Sequence, residues 1–439
     1  MKLLDNYLVK TLKGLKGNPR ACIYTEPLWG LSIMLCLPFA SVYMLALGLN
    51  DSQIGFIASI FMLSQVGCAF LSGPVTDKFG RRKTTAVFDF LAWSVPCFIW
   101  VFASAWYGRA EVLWFFLAAA LFNGFMQITT NSWDCLLIED AEKNRITGIN
   151  SLVVVCGHLS VLFAPISAVL FLRMETIPAI RILYINGFVI MTLKIVLLYI
   201  FSRETKMGKI RLEESRGKSL FSLTFGYGGV IKIIKNSPGT IFALVITTLT
   251  GIVVLTNTIF WPVIVTQRLL IPDFLLPFFP ILRSVTAIVF FIFVVPRLTK
   301  GLLKLPLLTG FACFFIGQVL LVLAPVEGPL KYVVLCVSLL FDSFASSLLL
   351  MLAKTLVAFY VNPRERARVQ AIMNMIIMAA TAPFGWIGGM LSELSRILPF
   401  ILNLCLLAAG FFVTMIFYAR QKSGGISAYS EVSDAETQP

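Results

Sequence analysis

Charge is scarce along this chain: 13% of its residues are Asp, Glu, Lys or Arg, and histidine occurs once. A soluble domain has about a quarter of its residues charged and about half apolar. Here 58% are hydrophobic and mean hydropathy is +0.87, which excludes a soluble domain and implies an integral membrane protein. With a single histidine and nine cysteines scattered singly through apolar runs, there is no metal-ligand spacing and no obvious disulfide pair. The cysteines read as small core residues, and a membrane enzyme built on clustered His, Asp or Cys is disfavoured. No G-x-x-x-x-G-K-[ST] loop is present to cradle a nucleotide, so no cofactor is expected. The pattern of the first residues does not read as a cleavable leader. Residues 1–21 instead set Leu3, Leu4, Tyr7, Leu8, Leu12 and Leu15 at helical spacing opposite lysines, which predicts an amphipathic helix on the cytoplasmic membrane surface.

What the chain does have is long apolar runs. A crossing needs roughly 20 such residues, and runs of that kind fall at 22–48, 53–73, 84–105, 112–136, 148–172, 181–201, 238–264, 274–296, 305–324, 331–358, 369–391 and 398–419. The sequence therefore predicts an all-α membrane protein of twelve transmembrane helices. The longest polar interval, 202–237, divides them into bundles at 22–201 and 238–419; its second part, 220–235, mixes aromatics with lysines as an interfacial segment does. Residues 420–439 read as a disordered cytoplasmic tail. The net charge of +14 lies in short blocks between the runs, a pattern that sets topology and does not point to nucleic acid. Placing both termini in the cytoplasm puts most Lys and Arg on that side. A repeat supports the two halves: R-I-T-G-I-N-S leading to A-P-I-S-A-V-L (145–170) parallels R-A-R-V-Q-A leading to A-P-F-G-W-I-G-G-M-L (366–391).

Between the second and third runs stands G-P-V-T-D-K-F-G-R-R-K, residues 73–83, whose charges cannot lie in hydrocarbon. It reads as a tight loop at the membrane surface. Gly73, Asp77, Lys78, Gly80, Arg81, Arg82 and Lys83 fill every fixed position of G-x-x-x-D-[RK]-x-G-R-[RK]-[RK]. Here the chain resembles the major facilitator superfamily of secondary transporters. The resemblance implies two pseudo-symmetric six-helix bundles, the fold of that family, working as a monomer by rocking about a midplane site. It also implies a conformational latch, with Asp77 facing the start of helix eleven and Arg81 reaching Glu139 or Asp140 at the end of helix four, where Arg145 is the accompanying arginine. Two further stretches, E-P-L-W-G (26–30) and N-S-W-D-C-L-L-I-E-D (131–140), look like those of uncharacterised bacterial facilitator proteins, so a bacterial inner membrane is expected. Helix four has no Arg or Lys, where many members hold an arginine. A weakened echo of the loop, 296–304, keeps cations only.

Polar residues inside a span are costly in lipid and face a cavity or a partner. Asn123, Gln127, Asn131 and Asp134 are spaced four, four and three, which predicts one polar stripe on helix four, lining a cavity or gluing helices together. The resemblance places helices one, four, seven and ten around the cavity. Its candidates are then Trp29, Ser32 and Cys36, with Glu26 near the inner end; Thr247, Thr250, Asn257 and Trp261; and Asp342 with Ser346. Asp342 lies deep in a span, where a carboxylate is costly unless paired or protonated, so it leads the coupling candidates, with Arg283 as counter-charge; a static salt bridge is the other reading. His158, Asp134 and Glu26 are further titratable candidates, although a lone histidine bonded to a neighbour is as good a reading of His158. Asp89 is expected to reach the interface and Lys194 to snorkel. The expected partners are a small-molecule substrate, a proton or other ion gradient, and the bilayer. Because the cavity candidates are mostly aromatic, apolar or uncharged, export of an amphipathic compound is expected ahead of uptake of a sugar or metabolite. A non-transporting sensor on the same fold fits the same motifs.

Overall fold

The computed structural model describes residues 7–103, 108–142, 145–220, 234–293, 303–360 and 366–423. Among them every regular element is helical, and twelve helices are long and apolar enough to cross a membrane. In order these spans are Gly17–Ala46, Asp51–Phe79, Arg81–Phe102, Gly108–Ile138, Gly148–Phe171, Thr176–Phe201, Pro238–Gln267, Asp273–Phe290, Lys304–Val322, Leu330–Ala353, Val369–Leu394 and Leu398–Arg420. Of the amphipathic helix expected over the first twenty residues, the described part is Tyr7–Lys13, and residues 1–6 lie outside the described residues. Gly17, at φ +56°, breaks it from the first span, and Leu15 between them is buried beside Ala21 and Cys22. The expected interfacial segment lies outside the described residues from 221 to 233, as do most of the 296–304 echo and the tail from 424.

Several spans are interrupted where proline removes a backbone donor. The first passes through a 3-10 turn at Leu37–Phe39 around Pro38, and the fifth through Val161–Phe163 just before Pro165. The third widens into a π turn at Phe90–Ser94 ahead of Pro96, the kind of bulge that often marks a functional site. The fourth breaks after Asn123, where Gly124 rests so closely on Ser64 of the second span that no side chain would fit. The predicted stripe on helix four is interrupted there.

Spans one to six pack on one another, as do seven to twelve. One buried cluster, with Phe311, Phe314, Leu348 and Leu349, belongs to the second half, while another joins Tyr43, Phe116 and Tyr184 to Phe260, Ile264 and Leu335 across the halves. The join is made on the face opposite the 73–83 segment. There the start of the second span lies against the end of the eleventh, glycine on glycine: a side chain at Gly385 would stand 2.8 Å from the Gly55 carbonyl oxygen. Asp51 takes a hydrogen bond from Ser392 and an ion pair from Arg396, and Asn50 donates to Glu393 at 3.1 Å. Ser59 donates to the Ala382 carbonyl at 2.6 Å and accepts from the Trp386 N–H at 2.8 Å, so its hydroxyl is inserted into the backbone ladder of the eleventh span at the Pro383 break. Ser41 to the Ile259 carbonyl, 2.7 Å, and Thr176 to Asp273, 2.7 Å, complete the closure. On the other face, Met126–Ile138 and Ile146–Ser160 pack on elements of their own half.

Candidate functional site

Two adjoining pockets form the lobes of the candidate site, one between the halves and one lined by the second half alone. Trp29, Ser32 and Cys36 of the first span, Trp93, Cys97 and Trp100 of the third, and Asn123 of the fourth enclose an apolar lobe of about 370 Å³. The π turn in the third span helps to set this wall, where Trp29 meets Trp93 edge-on at 5.9 Å between ring centres. Ser32 and Cys36 donate to the carbonyls of Gly187 and Leu183 in the sixth span, so these polar atoms are turned to a neighbouring helix. Two groups in this wall, the Trp100 indole nitrogen and the Tyr184 hydroxyl, are buried without a hydrogen bond.

The second lobe, about 220 Å³, carries the charged and hydroxyl groups: Asn257 and Thr258 of the seventh span, Arg283 and Ser284 of the eighth, and Asp342, Ser343 and Ser346 of the tenth line it, beside the apolar Val254, Ala287 and Phe314. Thr258 belongs to both walls, so the lobes adjoin at the seventh span. The Arg283 guanidinium lies 4.9 Å over the Trp261 ring, which Phe279 props edge-on at 5.1 Å. Asp342 is held otherwise: its Oδ2 accepts from Gln318 at 2.8 Å, the Gln318 Oε1 accepts from Asn403 at 3.1 Å, and Asn403 also reaches Asn257 at 3.5 Å. Arg283 and Asp342, read from the sequence as a contact pair, therefore share a cavity wall without touching, because Trp261 holds one and Gln318 the other. Gln318 and Asn403 escaped the sequence reading because each is a lone amide in an apolar run. The cost of any amide within a span was the available signal.

The other candidates scatter. Thr247 bonds back to the Ala243 carbonyl at 2.7 Å, and Thr250 is buried outside both lobes. Beyond the break in helix four, Asn131 donates to the Ser72 carbonyl at 3.3 Å and to Thr76 at 3.2 Å, joining the fourth span to the second. Gln127 is half-buried and Asp134 exposed. Glu26 is half-buried, within electrostatic reach of Lys194, Asp89 and Asp134. The side chain of His158 lies outside the described residues.

The 73–83 segment is more helical than its composition suggested. The second span runs through Gly73 and Asp77 to Phe79, Gly80 alone leaves the helix at φ +84°, and the third span begins at Arg81. The Arg81 guanidinium bridges Asp77 at 2.9 Å and Glu139 at 3.1 Å. Sequence reasoning missed Glu204, which caps the third span by accepting from the backbone N–H groups of Arg81 and Arg82 at 2.9 and 3.1 Å. Thr205 donates to Glu139, Asp140 accepts the Lys206 N–H at 3.2 Å, and Arg82 lies 4.0 Å over the Tyr199 ring. The start of the polar interval is thus folded onto the segment. Arg145 stands apart, on Glu142 at 2.8 Å and the Gly14 carbonyl at 2.7 Å. The expected contact of Asp77 with the start of helix eleven falls on 361–365 and the side chains of 366–368, outside the described residues.

Asp89 and Lys194 do not reach the interface. They form an ion pair with side chains 1% and 3% exposed, because the third and sixth spans place them opposite each other. Breaking such a pair leaves one buried charge uncompensated and costs about 3–5 kcal/mol. Lys194→Met should therefore lower thermal stability in detergent by that order, and adding Asp89→Asn should restore most of it. Equal stability of the single variant and the native protein would refute the pairing.

A family model described as Major Facilitator Superfamily matches residues 28–300. No curated protein matches the chain in sequence. Among solved structures, a mutant of the nucleoside transporter NupG superposes with a TM-score of 0.71 at 15% identity, covering 92% of this chain and 99% of that one. A mutant of the peptide transporter POT gives 0.66 at 15% identity over 91% and 93%. The inward-open xylose transporter XylE from E. coli gives 0.64 at 12% identity over 91% and 95%.

Proposed function

The chain belongs to the major facilitator superfamily, is an integral membrane protein and a transporter rather than an enzyme, and from that premise we propose that it carries a small amphipathic organic solute by alternating access, coupled to protons. One observation carries the reading: an apolar, aromatic lobe between the halves adjoins a lobe of the second half that holds an acid and a cation in its wall. Lys78, Arg82, Lys83, Arg203 and Lys206 cluster at the 73–83 face, which supports placing that face and both termini in the cytoplasm. The joined face is then the outer one, and the cavity serves the inside in this state. Among the described residues the Arg81 network lies within the first half and the interval that follows it, which supports a latch role for Asp77, Arg81 and Glu139.

The cavity's charge bears on the direction we propose. Export was the expectation while the cavity had few fixed cations, and the apolar lobe still favours it as the second reading. Arg283 in the wall favours proton-coupled uptake. The test is a thermal-shift screen of amphipathic solutes on purified protein, followed by flux in liposomes under an imposed pH gradient. At least one ligand should stabilise the protein by several degrees and move with the gradient. Flux indifferent to the gradient would remove the coupling; stabilising ligands that never cross would remove transport.

A further inference from the structure

We infer that the polar lobe receives the anionic end of an amphipathic ligand, a carboxylate or similar group held by Arg283, while the apolar body lies past Thr258 in the aromatic lobe. This rests on the transporter reading only for what happens to the ligand afterwards.

The argument is one of unspent bonding capacity. Arg283 offers five N–H donors in a planar fork suited to a carboxylate, yet no described carboxylate lies within ion-pair distance of it. It is half-buried on Trp261 and open to the lobe. Three of the four hydroxyls around it are committed: Thr258 donates to the Val254 carbonyl at 2.8 Å, Ser343 to the Arg283 carbonyl at 2.8 Å, and Ser346 to the Ser343 carbonyl at 3.2 Å, which leaves Ser284 as a second donor beside the guanidinium. A ligand entering the lobe therefore meets a cationic donor first. Asp342 is the less available charge, 4% exposed and tied through Oδ2 to Gln318. A cationic ligand would have to approach the better-buried acid past the better-exposed guanidinium.

The second lobe decides the remainder of the ligand. Its volume, about 370 Å³, falls at the lower end of the range of roughly 300–1,000 Å³ typical of small-molecule sites. Its wall of Trp29, Trp93 and Trp100 suits a ring or a short alkyl chain. An inorganic anion would leave this lobe unfilled.

Three probes with one apolar body and different ends test the inference: 4-phenylbutyrate, 4-phenylbutanol and 4-phenylbutylamine, with inorganic phosphate as the bare anion. Binding to the purified full chain is read by tryptophan fluorescence and calorimetry. The carboxylate should bind at least tenfold tighter than the alcohol, the amine and phosphate. Arg283→Gln should erase that preference, and Arg283→Lys, which keeps the charge but loses the fork, should retain part of it. Thermal unfolding checks both variants; should Arg283→Gln not fold, Arg283→Lys and the native ranking decide. Preference for the amine, phosphate binding as tight as the carboxylate, no saturable carboxylate binding, or full preference in Arg283→Gln would each overturn the assignment. Carboxylate binding without liposome flux would leave the anion site standing and remove transport; flux of alcohol or amine without carboxylate preference would do the reverse.

Discussion

Gly385→Leu is expected to hold the molecule open on the face that is joined here and to bring transport to background. The space for any side chain is missing: even a Cβ at this position would lie 2.8 Å from the Gly55 carbonyl oxygen and 2.8 Å from the Ser59 hydroxyl, and Gly389 beside it would meet the Ser52 Cα at 2.9 Å. The obstructing atoms are mostly backbone, so the two spans must separate. Separation takes Asp51 from Ser392 and Arg396, and Ser59 from the ladder of the eleventh span. Losing the partner of a buried carboxylate alone costs about 3–5 kcal/mol, which shifts a two-state balance by roughly 10² to 4 × 10³-fold. The effect is read as labelling of a cysteine placed at Ser41 by a membrane-impermeant thiol reagent from the face opposite 73–83, in a background freed of native cysteines. Labelling should be slow in the native protein and fast in the variant. Equal rates with normal flux would show that this contact is not a gate.

The twelve crossings were legible in the sequence because apolar length is set by the bilayer and no tertiary contact can hide it. The chemistry at Arg81 was half legible: its partner Glu139 follows a motif, whereas Glu204 acts through folding of the interval after the sixth span and has no local signature. Interruptions were harder. Pro38, Pro165 and Pro383 stand in apolar runs that still read as continuous, yet the helix is interrupted at or beside each of them. A break without proline, after Asn123, leaves Asn123 in the cavity wall and Asn131 bonded to the second span, and spoils the regular spacing that joined them. Asp89 and Lys194 failed for a different reason. Depth was judged on each helix by itself, and pairing across helices is what lets two charges stay buried.

The cavity's two charges make a sharper prediction for Asp342→Asn: gradient-driven flux should fall about 100-fold while affinity for 4-phenylbutyrate rises several-fold and loses its pH dependence. Among the described residues Asp342 is the one carboxylate in the wall of either lobe, and Arg283 the one cation, each within the other's field. Ionised, Asp342 repels a ligand anion in the same lobe and weakens the field of Arg283 there; protonated, it does neither. Binding in the native protein should therefore strengthen as pH falls, and the amide should hold the site at its low-pH affinity, with Gln318 still able to hydrogen-bond to it. Proton and anion then favour each other's binding, a coupling that is reciprocal by linkage and that drives both in the same direction. A variant that binds the anion more weakly, or whose flux still follows the gradient, would show that Asp342 does not carry the proton; stronger native binding at high pH would reverse the sense of coupling and return the balance to export.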